Sequence, residues 1–352
     1  MIIGNLDEDP KAFYKFIKSK KTDSVGVPPL RTGPTGDTIL SDSADKADCL
    51  NQYFTSVFTD EDLTNIPDLP AGNVIMPDFE VTQPGVLKLL SQLKPKKACG
   101  PDELHPRLLK ECCNEISLML TFIFNQSLTT GILPPDWRSA NIFPLHKKGS
   151  RATVDNYRPI SLTSICCKIL EHIVYSSISK FLESNHILTP NQHGFRSQHS
   201  CETQLVLAVN DWSKNLDMGY ITDIAIFDFS KAFDTVPHQR LLVKLQHYGI
   251  HGNTLRWISS FLSERSQRVT LDGAQSPWSS VKSGVPQGTV LGPLLFLLYI
   301  NDITTSIQSD IRLFADDCVL YRCIRSAHDS SILQQDIDLL NNWSQIWQMQ
   351  FN

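Results

Sequence analysis

Two short carboxylate signatures, each ending an apolar run, constrain this chain more than any other feature. Ile224-Ala225-Ile226 leads into Phe227-Asp228-Phe229-Ser230-Lys231-Ala232-Phe233-Asp234. Ile311 and Leu313 lead into Phe314-Ala315-Asp316-Asp317, with Val319, Leu320 and Tyr321 beyond. Apolar residues that dense read as strands, and an Asp-Asp pair between two of them reads as a hairpin tip. Standing alone, such a pair would be a solvated turn. With Asp228 closing a neighbouring strand, three carboxylates converge, and like charges that close cannot all ionise without a cation. Two Mg²⁺ ions roughly 3.5–4 Å apart would neutralise them, activate an attacking oxygen and stabilise a leaving oxygen in an in-line phosphoryl displacement. Mg²⁺ takes one or two carboxylates plus substrate phosphates in preference to an all-protein cage, which suits this sparse ligand set. The chemistry implied is nucleotidyl transfer.

A chain of 352 residues, 41% hydrophobic, is long enough for two or three subdomains with a substantial core. Its longest apolar run, Val290 to Ile300, is interrupted by Gly292 and Pro293 and falls short of the roughly 20 residues a bilayer span requires. No membrane association is expected. Met1-Ile2-Ile3-Gly4, followed by Asp7-Glu8-Asp9, has no secretory-signal character. Nine cysteines, including the adjacent pairs Cys112-Cys113 and Cys166-Cys167, form neither an even disulfide framework nor the spaced pattern of a zinc site. They fit a reducing compartment, and Cys318 and Cys323 read as strand-packing residues. The net charge of −5 is uneven: residues 1–90 hold 14 acidic and 8 basic side chains, so the remainder carries +1. Within 137–158, Arg138, Lys147, Lys148, Arg151 and Arg158 face only Asp155. A local basic strip of that kind is an electrostatic footprint for polyanions despite the acidic total.

Residues 1–80 read as a preface, with a loop at Pro28-Pro29, Gly33-Pro34 and Gly36. A helix capped by Ser41 or Asp42 then buries Ala47, Leu50, Tyr53, Phe54, Val57 and Phe58, and a Pro-rich linker follows. Thr82 and Pro84 start a helix carrying Val86, Leu87, Leu89, Leu90 and Leu93. Helical periodicity returns at Leu108–Cys113 and Ile116–Leu128. Strands are expected at 140–147 and 158–163 around the basic turn Lys147-Lys148-Gly149-Ser150-Arg151, then helices at 165–183 and 202–216. Beyond strand 221–228 come a helix after Pro237, another at 255–262 and a hairpin turning at Asp272-Gly273. A buried helix at 289–300, the acidic hairpin at 311–323 and a helix at 329–349 complete the pattern.

The ordered blocks Ala98-Cys99-Gly100-Pro101-Asp102, Asn156-Tyr157-Arg158-Pro159-Ile160-Ser161, His193-Gly194-Phe195-Arg196, Phe227–Asp234, Pro286-Gln287-Gly288 and Phe314–Asp317 together resemble a reverse transcriptase, specifically that of non-LTR (LINE-type, jockey-like) retrotransposons. The resemblance covers roughly residues 80–352. It implies an α/β (α+β) right-hand polymerase: fingers at 81–219, mostly helical with a small basic hairpin, and a palm with an antiparallel sheet at 220–352. The implied activity is RNA-directed DNA polymerisation, dNTP addition to the 3′-OH of a DNA primer on an RNA template, with two Mg²⁺ ions or Mn²⁺ in their place, in the nucleus or cytoplasm.

Carried over position by position, the family pattern makes Asp228, Asp316 and Asp317 the catalytic metal ligands. Lys147, Lys148 and Arg158 hold the triphosphate, Arg by bidentate contacts and Lys as a point charge. Phe233 stands beneath the sugar as a barrier to a 2′-OH, Asp234 is structural, and Gln287 and Gly288 border the nucleotide. Phe195 and Arg196 either stack on the template or lock a loop onto the fingers. The segment Trp347 to Asn352 stands where such proteins continue into a primer grip and thumb, so a fragment lacking the thumb is expected, without an endonuclease before the polymerase. Two other readings stay open: a truncated or host-adopted inactive remnant that at most binds RNA, and another palm polymerase such as a group II intron maturase or a telomerase-like enzyme.

Overall fold

A computed structural model describes residues 26–33, 37–70, 72 and 74–352 of the chain. Pro34 and Gly36 of the expected loop, and the N-terminal segment without signal character, lie outside them. Strands β1 (Leu30–Thr32) and β2 (Thr38–Leu40) pair antiparallel on either side of that loop. Helix α1 (Ser43–Ser56) starts where an Asx side chain can satisfy its free amides: Asp42 stays extended and accepts from the N–H groups of Ala44 and Asp45. Its buried side is Ala47, Leu50 and Phe54, whereas Tyr53 is only half covered. The Pro-rich stretch that follows has no helix or strand among its described residues.

Helices α2 (Gln83–Ser91), α3 (Pro106–Glu111) and α4 (Cys113–Thr130) follow, with Pro84 in the first turn of α2 and Gly131 ending α4 in the left-handed conformation at φ 68°. The basic hairpin is β3 (Ser139–His146) and β4 (Tyr157–Leu162), and helices α5 (Ile165–Ser184) and α6 (Cys201–Asp217) come next. Strand β5 (Ile221–Asp228) leads through short α7 (Ala232–Thr235) to α8 (His238–His247) and α9 (Gly252–Leu262). Strands β6 (Ser266–Leu271), β7 (Ala274–Gln275) and β8 (Ser279–Ser280), helix α10 (Gly292–Ile300), strands β9 (Asp310–Phe314) and β10 (Asp317–Ile324) and helix α11 (Ala327–Ile346) complete the order.

Two sheets organise these elements. An antiparallel three-stranded sheet runs β5-β10-β9, and a mixed five-stranded sheet runs β4-β3-β6-β7 with β8 on β6. The basic hairpin is therefore part of a larger sheet: β6 pairs parallel to β3, Ser139 opposite Ser266 through Ile142 opposite Val269. That pairing was not legible locally, because a parallel partner comes from a distant segment. It also draws residues beyond 219 onto the hairpin. One large core extends from Met76 to Met349, and a smaller one packs α1 on the five-stranded sheet through Leu50, Phe54, Ile142, Tyr157 and Val269. The architecture is thus mixed α/β, with one antiparallel and one mixed sheet, as the α/β expectation requires. None of the nine cysteines is disulfide-bonded, and no helix among the described residues is long and apolar enough to cross a membrane.

Two buried charges hold the large core in register. Helix α8 contributes Lys244, whose Nζ donates to the carbonyl of Tyr299 at 2.6 Å and to Asp302 at 2.5 Å. The rings of Tyr299, Trp343 and Trp347 surround it, 4.8, 4.6 and 3.7 Å from the ammonium, so cation–π attraction offsets part of its desolvation. Burial still pushes its pKa down to about 8, against the pull of Asp302. Glu171 on α5 is the second buried charge. Its carboxylate accepts the amides of Val290 and Leu291 at 2.7 and 3.1 Å, just before α10, the helix buried on all sides. These are amides that no helical carbonyl can satisfy, and a carboxylate also suits the positive end of the helix dipole. Glu171→Ala should cost about 1–3 kcal/mol, because it leaves those amides buried without an acceptor; urea denaturation of the two proteins measures it.

Candidate active site

The site begins with the pairing of β5 and β10, in which Asp228 stands directly opposite Asp317, Phe227 opposite Cys318 and Ile226 opposite Val319. Alternation along the strands sends Phe227, Cys318 and Leu320 into the core, and so turns Asp228 and Asp317 to the other face. Between Phe314 and Asp317 the β9–β10 hairpin turns on two residues, Ala315 and Asp316, with Ala315 at φ 53°. The three aspartates thus gather at one end of the sheet, as their sequence positions require.

Their side chains do not close into a chelating group: among the described residues no three His, Cys, Asp or Glu side chains are grouped to hold a metal ion. The pKa of Asp317 is raised by desolvation first, then by Asp316 and Asp228, with Lys147 opposing, as expected where like charges approach without a cation. Asp228 directs one oxygen to the side-chain amide of Asn352 at 2.8 Å, while Asn352 donates its backbone N–H to the Asp228 carbonyl at 2.8 Å. An all-oxygen donor set in mutual repulsion is the chemistry a hard divalent cation would satisfy, so the residues present fit such a group.

Asp228 and Asp316 line a cavity of about 630 Å³, whereas Asp317 is outside its wall. Lys147, Lys148 and Arg158 line the same cavity. The Lys147 amide donates to the Asn156 carbonyl at 2.8 Å, closing the turn that presents both lysines. None of the three cations forms an ion pair among the described residues. The site thus brings carboxylates and these cations to one cavity, a composition suited to a polyphosphate held with a cation.

Phe233, Gln287, Gly288 and Phe195 also border the cavity. Phe233 stacks on Phe296, centroids 4.7 Å apart at 20°, and meets Phe195 edge-on at 6.2 Å; it is a core residue and a cavity wall at once. The Gln287 side chain donates to both carboxylate oxygens of Asp234 at 3.0 and 3.1 Å, while its carbonyl accepts the Ser161 amide at 2.7 Å. Gly288 has φ 94°, and a Cβ there would stand 3.0 Å from the Ser161 carbonyl. The Pro-Gln-Gly loop is thus moulded to β4. Arg196 does not reach the cavity: its guanidinium bonds the Thr189 carbonyl at 2.9 Å and Glu183 at 3.2 Å, while Phe195, at φ 55°, stays exposed above Phe233.

Sequence reasoning missed one wall of the cavity. Tyr53 and Phe54 of α1 and Val57 just after it line it, and Lys231 places its ammonium over the Tyr53 ring at 5.1 Å. Their helical spacing signals burial but cannot say against what. Asp234 is half-buried, and burial pushes its pKa up to about 6 from 3.8, opposed by Gln287, Lys231 and Arg158 in that order. A carboxyl whose folded pKa lies above its unfolded one binds a proton the unfolded chain has released, so stability falls as pH rises through that window and stays lower above it. Asp234→Asn keeps an acceptor for Gln287 and abolishes the titration. Its melting temperature should exceed that of the unsubstituted chain near pH 8, with the difference closing toward about pH 4.5, where Asp234 is protonated in the fold; thermal scans at the two pH values check this.

The family model described as "Reverse transcriptase (RNA-dependent DNA polymerase)" matches residues 145–352. Among curated relatives, the "RNA-directed DNA polymerase from mobile element jockey" of Drosophila melanogaster is 32% identical over 287 residues, covering 79% of this chain and 31% of the relative. The "Probable RNA-directed DNA polymerase from transposon X-element" of the same species is 30% identical over 284 residues, 76% of this chain and 30% of the relative. The corresponding protein from transposon BS is 24% identical over 379 aligned positions, 99% of this chain and 41% of the relative. The chain thus spans less than half the length of each of these relatives. With a family match that takes in the basic turn and both carboxylate signatures, this chain belongs to the reverse transcriptase (RNA-dependent DNA polymerase) family.

Proposed function

We propose that this chain is the fingers and palm of a non-LTR, LINE-type retrotransposon polymerase that adds dNTPs to a primer 3′-OH on an RNA template. The carrying observation is the cavity lined by Asp228 and Asp316 together with Lys147, Lys148 and Arg158. In this reading residues 81–219 supply fingers and 220–352 palm, with β6 of the palm segment completing the fingers sheet and the preface helix α1 closing the cavity. The work is assigned to an intracellular setting, the nucleus or cytoplasm.

Asp228 and Asp316, with Asp317 beside them, would hold two Mg²⁺ ions, or Mn²⁺. When bound, these supply charge neutralisation for the attacking and leaving oxygens. The chain's own residues do the rest by positioning. Arg158 is suited to bind phosphate oxygens bidentately, while Lys147 and Lys148 follow the terminal phosphate as point charges. Gln287, tied to Asp234, and Gly288, pressed on β4, form the rim against which a nucleotide would lie. Phe233, fixed by Phe296, presents its edge where a ribose 2′-OH would need room. Phe195 is the exposed aromatic suited to stack on a template base. Arg196 serves it indirectly, by bracing the loop through Glu183 and Thr189.

Asp228→Asn and Asp316→Asn should each abolish primer extension while leaving RNA affinity within about threefold, because they remove ionic ligands and not the basic strip. Parallel extension and filter-binding assays test this, and near-normal extension by either variant would sink the assignment. Phe233→Ala should raise the ratio of rNTP to dNTP incorporation, as widening a steric barrier does, whereas an unchanged ratio would leave Phe233 as a core residue alone.

A further inference from the structure

The peptide between Ala315 and Asp316 is held by one buried side chain that the reading above leaves without a role. Gln192 is 2% exposed. Its Oε1 accepts the amides of Ala315 at 2.9 Å and of Gly194 at 2.7 Å, and its Nε2 donates to the Ala315 carbonyl at 3.3 Å. The adjoining backbone runs parallel to β9: the Leu313 amide donates to the Asn191 carbonyl and the His193 amide to the Leu313 carbonyl, both at 2.9 Å. In a two-residue hairpin the N–H and C=O of the first turn residue have no partner within the ladder. Here Gln192 gives both a partner, so its amide acts as one more peptide of a neighbouring strand.

Two further observations point the same way. Ala315 lies at φ 53°, a left-handed conformation that costs a non-glycine residue about 1–2 kcal/mol and needs compensating contacts. Gly194 packs so closely that a Cβ there would overlap the Ala315 amide nitrogen. The Gln192-His193-Gly194 segment is thus a mould fitted to the turn. Because the Ala315 carbonyl belongs to the peptide that begins Asp316, fixing it sets the plane from which the Asp316 side chain leaves.

We infer that Gln192 is a positioning residue for the catalytic turn, holding Asp316 where it can share a divalent cation with Asp228. This rests on the metal assignment made above. Like charges at the tip drive the carboxylates apart, and a turn free to rotate would let Asp316 follow that repulsion; the clamp opposes it.

The test uses the 352-residue chain with Mn²⁺ as probe, titrated by electron paramagnetic resonance, together with amide exchange of the 311–320 region by NMR. Gln192→Met keeps the length and apolar packing and removes all three hydrogen bonds. It should weaken Mn²⁺ binding by about tenfold or more, as loss of a residue that orients a metal ligand does, and should speed exchange at Ala315; its melting temperature should also fall, because the amides of Ala315 and Gly194 lose their acceptor, so both readings are taken well below it. Gln192→Glu, used if the Met variant does not fold, keeps both acceptor contacts and loses the donor to Ala315, and should show the same direction. Unchanged Mn²⁺ affinity together with unchanged exchange in a folded variant overturns the inference. If the unsubstituted chain shows no Mn²⁺ binding that Asp316→Asn removes, the metal assignment itself falls. The exchange arm then still decides whether Gln192 clamps the turn: faster exchange at Ala315 upholds the clamp, and unchanged exchange overturns it.

Discussion

The antiparallel pairing of β5 with β10, with Asp228 opposite Asp317, is the constraint on which the site depends. A slip of one residue would send Asp228 into the core and Phe227 out. That register is enforced from the buried face, where Phe227, Cys318 and Leu320 join a core reaching from Met76 to Met349. The carboxylates therefore cluster against their own repulsion because apolar burial on the opposite side of the same strands leaves them no other place. Desolvation first, and then the neighbouring Asp316 and Asp228, raise the pKa of Asp317 there.

Around this end of the sheet, carboxylates and cations gathered at one cavity give it its character. The cations arrive on a hairpin whose position is set by β6, a strand that comes more than a hundred residues after β3 and pairs parallel to it. The Pro-Gln-Gly loop is bound to the same hairpin through Ser161 and to α7 through Asp234. The hairpin and α7 are thus linked at the site itself, by polar contacts over the rim, while Lys244 and Glu171 tie the helices beneath. Buried charges of this kind add little net stability but penalise alternative packings strongly, since a misplaced partner leaves a charge unpaired.

Much of the architecture was legible locally. Asp42 caps α1 as its residue type requires, the strands at 139–146, 157–162 and 221–228 follow their apolar patterns, and the two-residue turn at Ala315-Asp316 sits between its strands. Arg196 shows the limit. A Phe-Arg pair in a loop is equally compatible with stacking on a template and with bracing a loop, and only the positions of Glu183 and the Thr189 carbonyl decide that the guanidinium braces. Tyr53 shows it again: helical spacing marks it for burial, and the partner turns out to be the cavity.

The sequence by itself determined the carboxylates, their placement at strand ends and the basic turn, because strand alternation and hairpin chemistry act over a few neighbouring residues. Which cations share a cavity with the aspartates, which helix lines it and which amide bonds the acidic turn were decided by tertiary structure. Gln192 lies 123 positions from Ala315, and Ser139 and Ser266 are as far apart along the chain. Contacts at that separation are chosen by which packing buries the most apolar surface while leaving the fewest polar groups unpaired, and no local pattern of residues carries that information.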